Sequence, residues 1–185
     1  MEKFFNEYTS NLKKSIDSLD QEVLLKIIKV IQRAKVEKRY VFLIGNGGSA
    51  ATPSHSAGDW TKELRIKTIA LTDNASSVTA FGNDTSYSNI FKGQLETFLE
   101  KDDILIGYSG SGNSPNVIEA ILFAKEKGST TIGVTGNYKN GNGGILAKIA
   151  DHVICVQTDS MEIIEDVHLI INHMIKEYIK KHKIL

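Results

Sequence analysis

Hydrophobic positions along this chain follow two rhythms. Five short runs, YVFLIG (40–45), TIALT (68–72), ILIGYS (104–109), TIGVTG (131–136) and VICVQT (153–158), are β-branched and almost continuously apolar. That is the pattern of strands buried on both faces. Longer segments with helical periodicity separate them. The alternation predicts parallel strands joined by crossover helices, an α/β three-layer sandwich. The ends of the chain differ. Phe4, Phe5, Tyr8, Leu12, Ile16 and Leu19 form one apolar stripe, and Leu24, Leu25, Ile27, Ile28 and Ile31 a second, so two amphipathic helices precede the first strand. A helix from about Met161 to Lys180 follows the last. NYKNGNGG (137–144) reads as a polar loop. The apolar surface at both ends exceeds what a five-stranded sheet covers, which points to an interface.

Composition narrows the picture only a little. The 185 residues, with no repeat or linker, suit one domain, residues 1–185. Lys plus Arg number 22 and Asp plus Glu 22, so no broad electrostatic footprint for nucleic acid or an anionic membrane exists. The basic tail KEYIKKHKIL reads as a helix end whose cations suit its dipole. Cys155 is the sole cysteine and sits in an apolar run, as a strand residue rather than a nucleophile. With no spanning run or leader visible, a cytoplasmic location is expected.

Candidate chemistry begins with two loops. GNGGSA (45–50) follows the first strand, and YSGSGNSPN (108–116) follows the third. Each is a glycine–serine turn that opens a helix. Asn46, Gly47, Gly48 and Ser49 lie in the first. In the second, Ser109, Ser111 and Ser114 offer hydroxyls and Gly110 bares the backbone between them, with Ser114 as a plausible N-cap and Pro115 at the first helical position. Hydroxyls, bare amides and a helix N-terminus bind an anion without Lys or Arg. Two such loops on one sheet suit a small phosphorylated ligand at the carboxyl ends of the strands.

The motifs GNGGSA, FGNDTSYSNIF and YSGSGNSPNVIEA resemble those of the sugar-isomerase (SIS) domain, in its phosphoheptose isomerase branch, and the similarity runs over about residues 2–180. The resemblance implies a single SIS domain with a flavodoxin-like five-stranded parallel sheet plus N- and C-terminal helices. It implies conversion of sedoheptulose 7-phosphate to D-glycero-D-manno-heptose 7-phosphate, a step toward surface heptose. It also implies a homotetramer with sites between subunits, and zinc, one per subunit. Ser49, Ser109, Ser111 and Ser114 would hold the phosphate, and Asn46 and Asp84 would contact the sugar.

Aldose–ketose isomerisation moves a proton between adjacent carbons through an enediolate, with a base at carbon and an acid or metal at oxygen. His55 and Asp59, at i and i+4, share one helical face. The last helix carries Glu165, Asp166, His168 and His173, and Asp159 with Glu162 resembles a capping box at its start. The family pattern is His-x-x-x-Glu on the first helix and Gln, then His eight residues on, in the last. His55 and His173 match it. Asp59 replaces the Glu and Glu165 the Gln. By resemblance, His55, Asp59, Glu165 and His173 would be the zinc ligands, with Asp59 and His173 as the acid–base pair. Residues eight apart are about 80° apart around a helix, so Asp166, seven from His173, is an alternative that orients His173 or replaces Glu165. His168 points about 140° from His173, and His152 and His182 read as uninvolved. TKELRIKT (61–68) lacks the family's Gly-Arg stretch.

Two other readings compete. One is a non-catalytic SIS protein that binds a phosphosugar or acts as an adaptor. The other is a nicotinamide-dependent oxidoreductase, which the G-x-G-x-x-A match and Asp73 would suit. The serine loop has no role in that second reading, so no nucleotide cofactor is expected.

Overall fold

The computed structural model describes residues 2–182; Met1 and the last three residues of the basic tail lie outside the described residues. Two helices, α1 (Glu2–Asp17) and α2 (Gln21–Val36), lead into β1 (Tyr40–Gly45). There follow α3 (Gly48–Asp59), β2 (Lys67–Ala70), α4 (Ala75–Asp84), α5 (Lys92–Phe98), β3 (Ile104–Ser109), α6 (Pro115–Glu126), β4 (Thr130–Gly136), α7 (Leu146–Ile149), β5 (His152–Val156) and α8 (Met161–His182). The five strands are all parallel, in the order β2-β1-β3-β4-β5. This doubly wound order reverses between β1 and β3, and ligands of such sheets bind at that switch point.

All five expected strands form. β2 stops at Ala70, short of Thr72, because the chain leaves the sheet through a turn in which Asp73 N–H donates to the Ala70 carbonyl. β5 begins one residue early, at His152, and ends two early, at Val156. Alternation along β1 shows why the strands are apolar throughout. Val41 and Leu43 enter the core under α2, α8 and the turn after α3. Phe42 and Ile44 enter the core under α5, α6 and α7. Cys155 is half-buried on β5, and burial pushes its thiol pKa up, as befits a strand residue.

Two details depart from the expected local structure. Ser160, not Asp159, caps α8: its hydroxyl accepts the Ile163 N–H at 3.3 Å and donates to Glu162 at 3.0 Å. Asp159 instead accepts the Lys139 N–H across the neighbouring loop. Ser114 does precede α6, but its side chain makes no cap; its hydroxyl meets that of Ser109 at 3.0 Å.

The carboxylate of Asp103, only 2% exposed, ties the amino end of the sheet together. It accepts the Tyr40 N–H at the start of β1 and the Glu100 N–H before β3, both at 2.9 Å. Asp103→Ala takes the side-chain acceptor from two backbone donors, Tyr40 N–H and Glu100 N–H. It should lower the unfolding free energy by about 3 kcal/mol, read by urea denaturation with an unchanged m-value; a loss under 0.5 kcal/mol would show that Asp103 is not a fastening point.

Candidate active site

Strand pairing sets the two glycine–serine loops side by side. Gly45 at the end of β1 is opposite Tyr108 at the end of β3. The loops that continue from them flank one cavity of about 210 Å³, lined by Asn46, Ser49, Ser109, Gly110, Ser111, Ser114 and Glu165, with Tyr108 and Met161 at its walls. Gly47 has φ +56°, a conformation that favours glycine, and makes the tight turn into α3. A Cβ on Gly48 would fall on the Glu165 carboxylate, so the bare backbone is what lets α8 approach. The serine loop is braced from behind. Gly112 (φ +66°) sits where a Cβ would strike the Gly143 carbonyl, and its own carbonyl accepts the Leu146 N–H at 2.9 Å. The polar segment 137–144 is therefore a buttress for the anion loop.

Asn46 is held in one orientation by Asn116. Each amide donates to the other's carbonyl oxygen at 2.8 Å, and the Tyr87 hydroxyl adds a bond to Asn46 Oδ1 at 3.2 Å. Glu165 lies near the Ser49 amide at the start of α3; burial raises its pKa, and that amide offsets part of the rise. Asp84 is not brought to this cavity. It is exposed at the end of α4 and accepts from the Asn83 amide at 2.8 Å. Asp73 lies in the turn after β2, where it accepts from Ser54 and Thr72.

A second cluster lies further along α3 and α8. His55 Nε2 and His173 Nε2 face each other at 3.0 Å, and Asp59 Oδ2 is 3.4 Å from the first and 3.8 Å from the second. Two ring nitrogens this close share one proton or turn both lone pairs on a common cation. In a tetrahedral site with bonds of about 2.0–2.1 Å, donor atoms stand about 3.3–3.4 Å apart. The three separations bracket that value, so His55, Asp59 and His173 form a group that fits a metal ion. The expectation that Glu165 joins them as a fourth donor is not met among the described residues. Eight residues of helix carry it about 12 Å from His173 along the axis, to the phosphate-type cavity. Asp166 neither orients His173 nor replaces Glu165; it accepts the Tyr8 hydroxyl at 2.7 Å and so fastens α1 to α8.

The match to known proteins is broad. A model of the SIS domain fits residues 3–136. The phosphoheptose isomerase of Sulfurimonas denitrificans is 42% identical over 144 residues, which cover 75% of this chain and 72% of that protein. That of Clostridium acetobutylicum is 34% identical over 95% of this chain and 94% of its own. The chain belongs to the phosphoheptose isomerase family of SIS-domain proteins. The structure of the phosphoheptose isomerase from Neisseria gonorrhoeae superposes with a TM-score of 0.90 at 28% identity, over 97% of this chain and 98% of the other.

On this phosphoheptose isomerase fold, Lys176 is the active-site neighbour that sequence reasoning missed. Its ammonium donates to Asp59 Oδ2 at 2.9 Å and to Glu63 Oε1 at 3.5 Å, and Lys180 holds Glu63 at 2.6 Å. The hydrogen bond from Lys176 holds the Asp59 pKa below the usual carboxylate range. The signal was present: Lys176 is three residues beyond His173, and Glu63 four beyond Asp59, spacings that share a helical face. Glu63 lies in a π-helical turn, Trp60–Leu64, that ends at Arg65 with φ +56°; this turn fills the stretch that departs from the family pattern.

His168 turns away from His173, as its angle implied, and is wholly buried against Tyr108, ring centroids 5.7 Å apart. Neither ring nitrogen has a hydrogen-bond partner of normal geometry among the described residues. Burial pushes its pKa down to about 4 from the ordinary 6.5, and the nearby Thr135 backbone offsets only part of that. The folded state therefore keeps His168 neutral while the unfolded chain takes a proton. Its contribution to stability is complete above pH 6.5 and is lost as pH falls toward 4. Between pH 7 and pH 5 the wild type should lose about 2 kcal/mol more unfolding free energy than His168→Leu. Parallel pH dependences in urea titrations would mean that the ring is not held neutral.

Proposed function

We propose that this protein is a phosphoheptose isomerase that interconverts sedoheptulose 7-phosphate and D-glycero-D-manno-heptose 7-phosphate, in the direction of heptose biosynthesis. The observation that carries the reading is the pairing of a serine-lined anion cavity with a His/Asp/His cluster on the same two helices. α3 runs from Ser49 to His55 and α8 from Glu165 to His173, a rise of roughly 9–12 Å. An extended seven-carbon phosphate reaches roughly 10 Å from phosphorus to its carbonyl end at ~1.5 Å per bond. With the phosphate on Ser109, Ser111, Ser114 and Ser49, the reacting carbons come to His55, Asp59 and His173. Asn46, fixed by Asn116, is oriented to bond sugar hydroxyls. Asp84 reaches the sugar only by a movement of its loop or from a neighbouring subunit.

In this reading Asp59, kept ionised by Lys176, takes the carbon-bound proton and returns it to the neighbouring carbon. His173 moves the proton at the oxygens. Zinc, one per subunit, would be held by His55, Asp59 and His173 and would supply a Lewis acid at the carbonyl oxygen; an oxygen or ring nitrogen bonded to the ion carries no proton, so Asp59 and His173 act as base and acid only when not bonded to it. Glu165 lines the cavity beside the Ser49 amide. The chain is one SIS domain, residues 1–185. It works in the cytoplasm, where phosphate charge, costly to carry into a bilayer, retains its substrate.

Turnover of sedoheptulose 7-phosphate in deuterium oxide should place solvent deuterium at the sugar carbon. Asp59→Asn should reduce both exchange and kcat by roughly a hundredfold or more while phosphosugar binding survives. Near-wild-type turnover in that variant would remove Asp59 as the base. Binding without turnover or exchange in the wild type would return the protein to the non-catalytic SIS reading.

The assembly in this reading is a homotetramer built on the terminal helices. Phe4 and Phe5 are 65% and 58% exposed, and Leu25 and Met174 border an apolar groove of about 450 Å³ between α2 and α8. Surfaces of that kind rarely stay bare. Light scattering at micromolar concentration should give four chains; a monomer would refute the assembly.

A further inference from the structure

Lys176 is a cation set against the Asp59 oxygen that faces both histidines of the His55–Asp59–His173 cluster. We propose that Lys176 governs how tightly that cluster takes a divalent cation, by competing for Asp59 Oδ2. This inference rests on the reading of the cluster as an isomerase centre and goes beyond it. Asp59 Oδ2 faces both histidine nitrogens, at 3.4 Å and 3.8 Å, and accepts from Lys176 Nζ at 2.9 Å. The same oxygen therefore serves the ammonium and completes the donor triangle. Nor is the ammonium free to leave. Its side chain is 12% exposed, and it lies between Asp59 at the end of α3 and Glu63 in the π-helical turn. Lys180 holds Glu63 from the other side. An incoming divalent ion meets a positive charge a few ångströms away. It also meets a carboxylate oxygen already engaged in a charge-assisted hydrogen bond.

The opposite role is a purely structural one, in which Lys176 ties α8 to α3 and steadies Asp59. The two roles differ in sign. If Lys176 competes, its neutralisation tightens metal binding. If it only supports, its neutralisation leaves metal affinity unchanged or weakens it.

The test is calorimetric titration of the metal-free full chain with Zn²⁺ alone, at one fixed pH. Lys176→Met should bind Zn²⁺ about tenfold or more tightly than the wild type, because the competing charge is gone. Lys176→Arg, which keeps the charge, should stay within about threefold of it. Adding His55→Ala to Lys176→Met should abolish the gain, which places the ion at this cluster. Should Lys176→Met not fold, Lys176→Gln carries the same expectation. Equal or weaker Zn²⁺ binding by the neutral variant overturns the proposal, as does a gain that survives His55→Ala. Sedoheptulose 7-phosphate turnover, measured separately, distinguishes the two readings: an inactive wild type with the affinity difference intact sinks only the isomerase assignment. Active wild type with no affinity difference sinks only the role of Lys176.

Discussion

Parallel pairing of β1 with β3 is the constraint on which the rest of the molecule depends. Only because those strands are neighbours, with Gly45 opposite Tyr108, do two loops 60 residues apart become the walls of one cavity. The chain order reverses there, so α3 and α6 leave the sheet to opposite sides and no side chain has to fill the crevice between their first turns. The cost falls on glycine. Gly47 and Gly112 take up positive φ, and Gly48 and Gly112 leave room for Glu165 and the Gly143 carbonyl. Larger residues would push these layers apart and open the cavity.

The crossing of α8 over α3 is the second decision. It puts Glu165 in the lining of the serine-loop cavity and His173 beside His55, so one helix reaches both the cavity and the His/Asp/His cluster. It also brings charge. Lys176 and Lys180 interleave with Asp59 and Glu63, four groups in a row that join the end of α3 to the end of α8. That row also fixes the direction of the Asp59 carboxylate, which leaves the geometry of the cluster less dependent on a ligand than a free aspartate would be.

Buried polar groups mark the same region. His168 and Asn172, one turn apart on the inner face of α8, lack hydrogen-bond partners among the described residues, as does Trp60 at the start of the π-helical turn. Unpaired buried groups of this kind are met by ordered water in most folds. Behind the cluster, apolar contacts from Ile164, Val167, Ile171 and Ile175 hold the helix that carries His173.

The sequence by itself determined the elements, the parallel α/β class and both glycine–serine loops. Its strand signal is a run of β-branched residues and its loop signal is composition, and both are local properties of the chain. The i, i+4 spacing likewise made His55 and Asp59 neighbours before any tertiary contact was known. The tertiary structure alone decided what met across helices. Whether Glu165 or Asp166 faced inward turned on the rotation of α8, which one helix's periodicity leaves open by tens of degrees. In the folded chain Asp166 meets Tyr8 of α1 and Glu165 faces the cavity. The partnership of Lys176 with Asp59 spans 117 positions. Each of these depends on how two helices lie on a sheet, and no spacing within either helix contains that information.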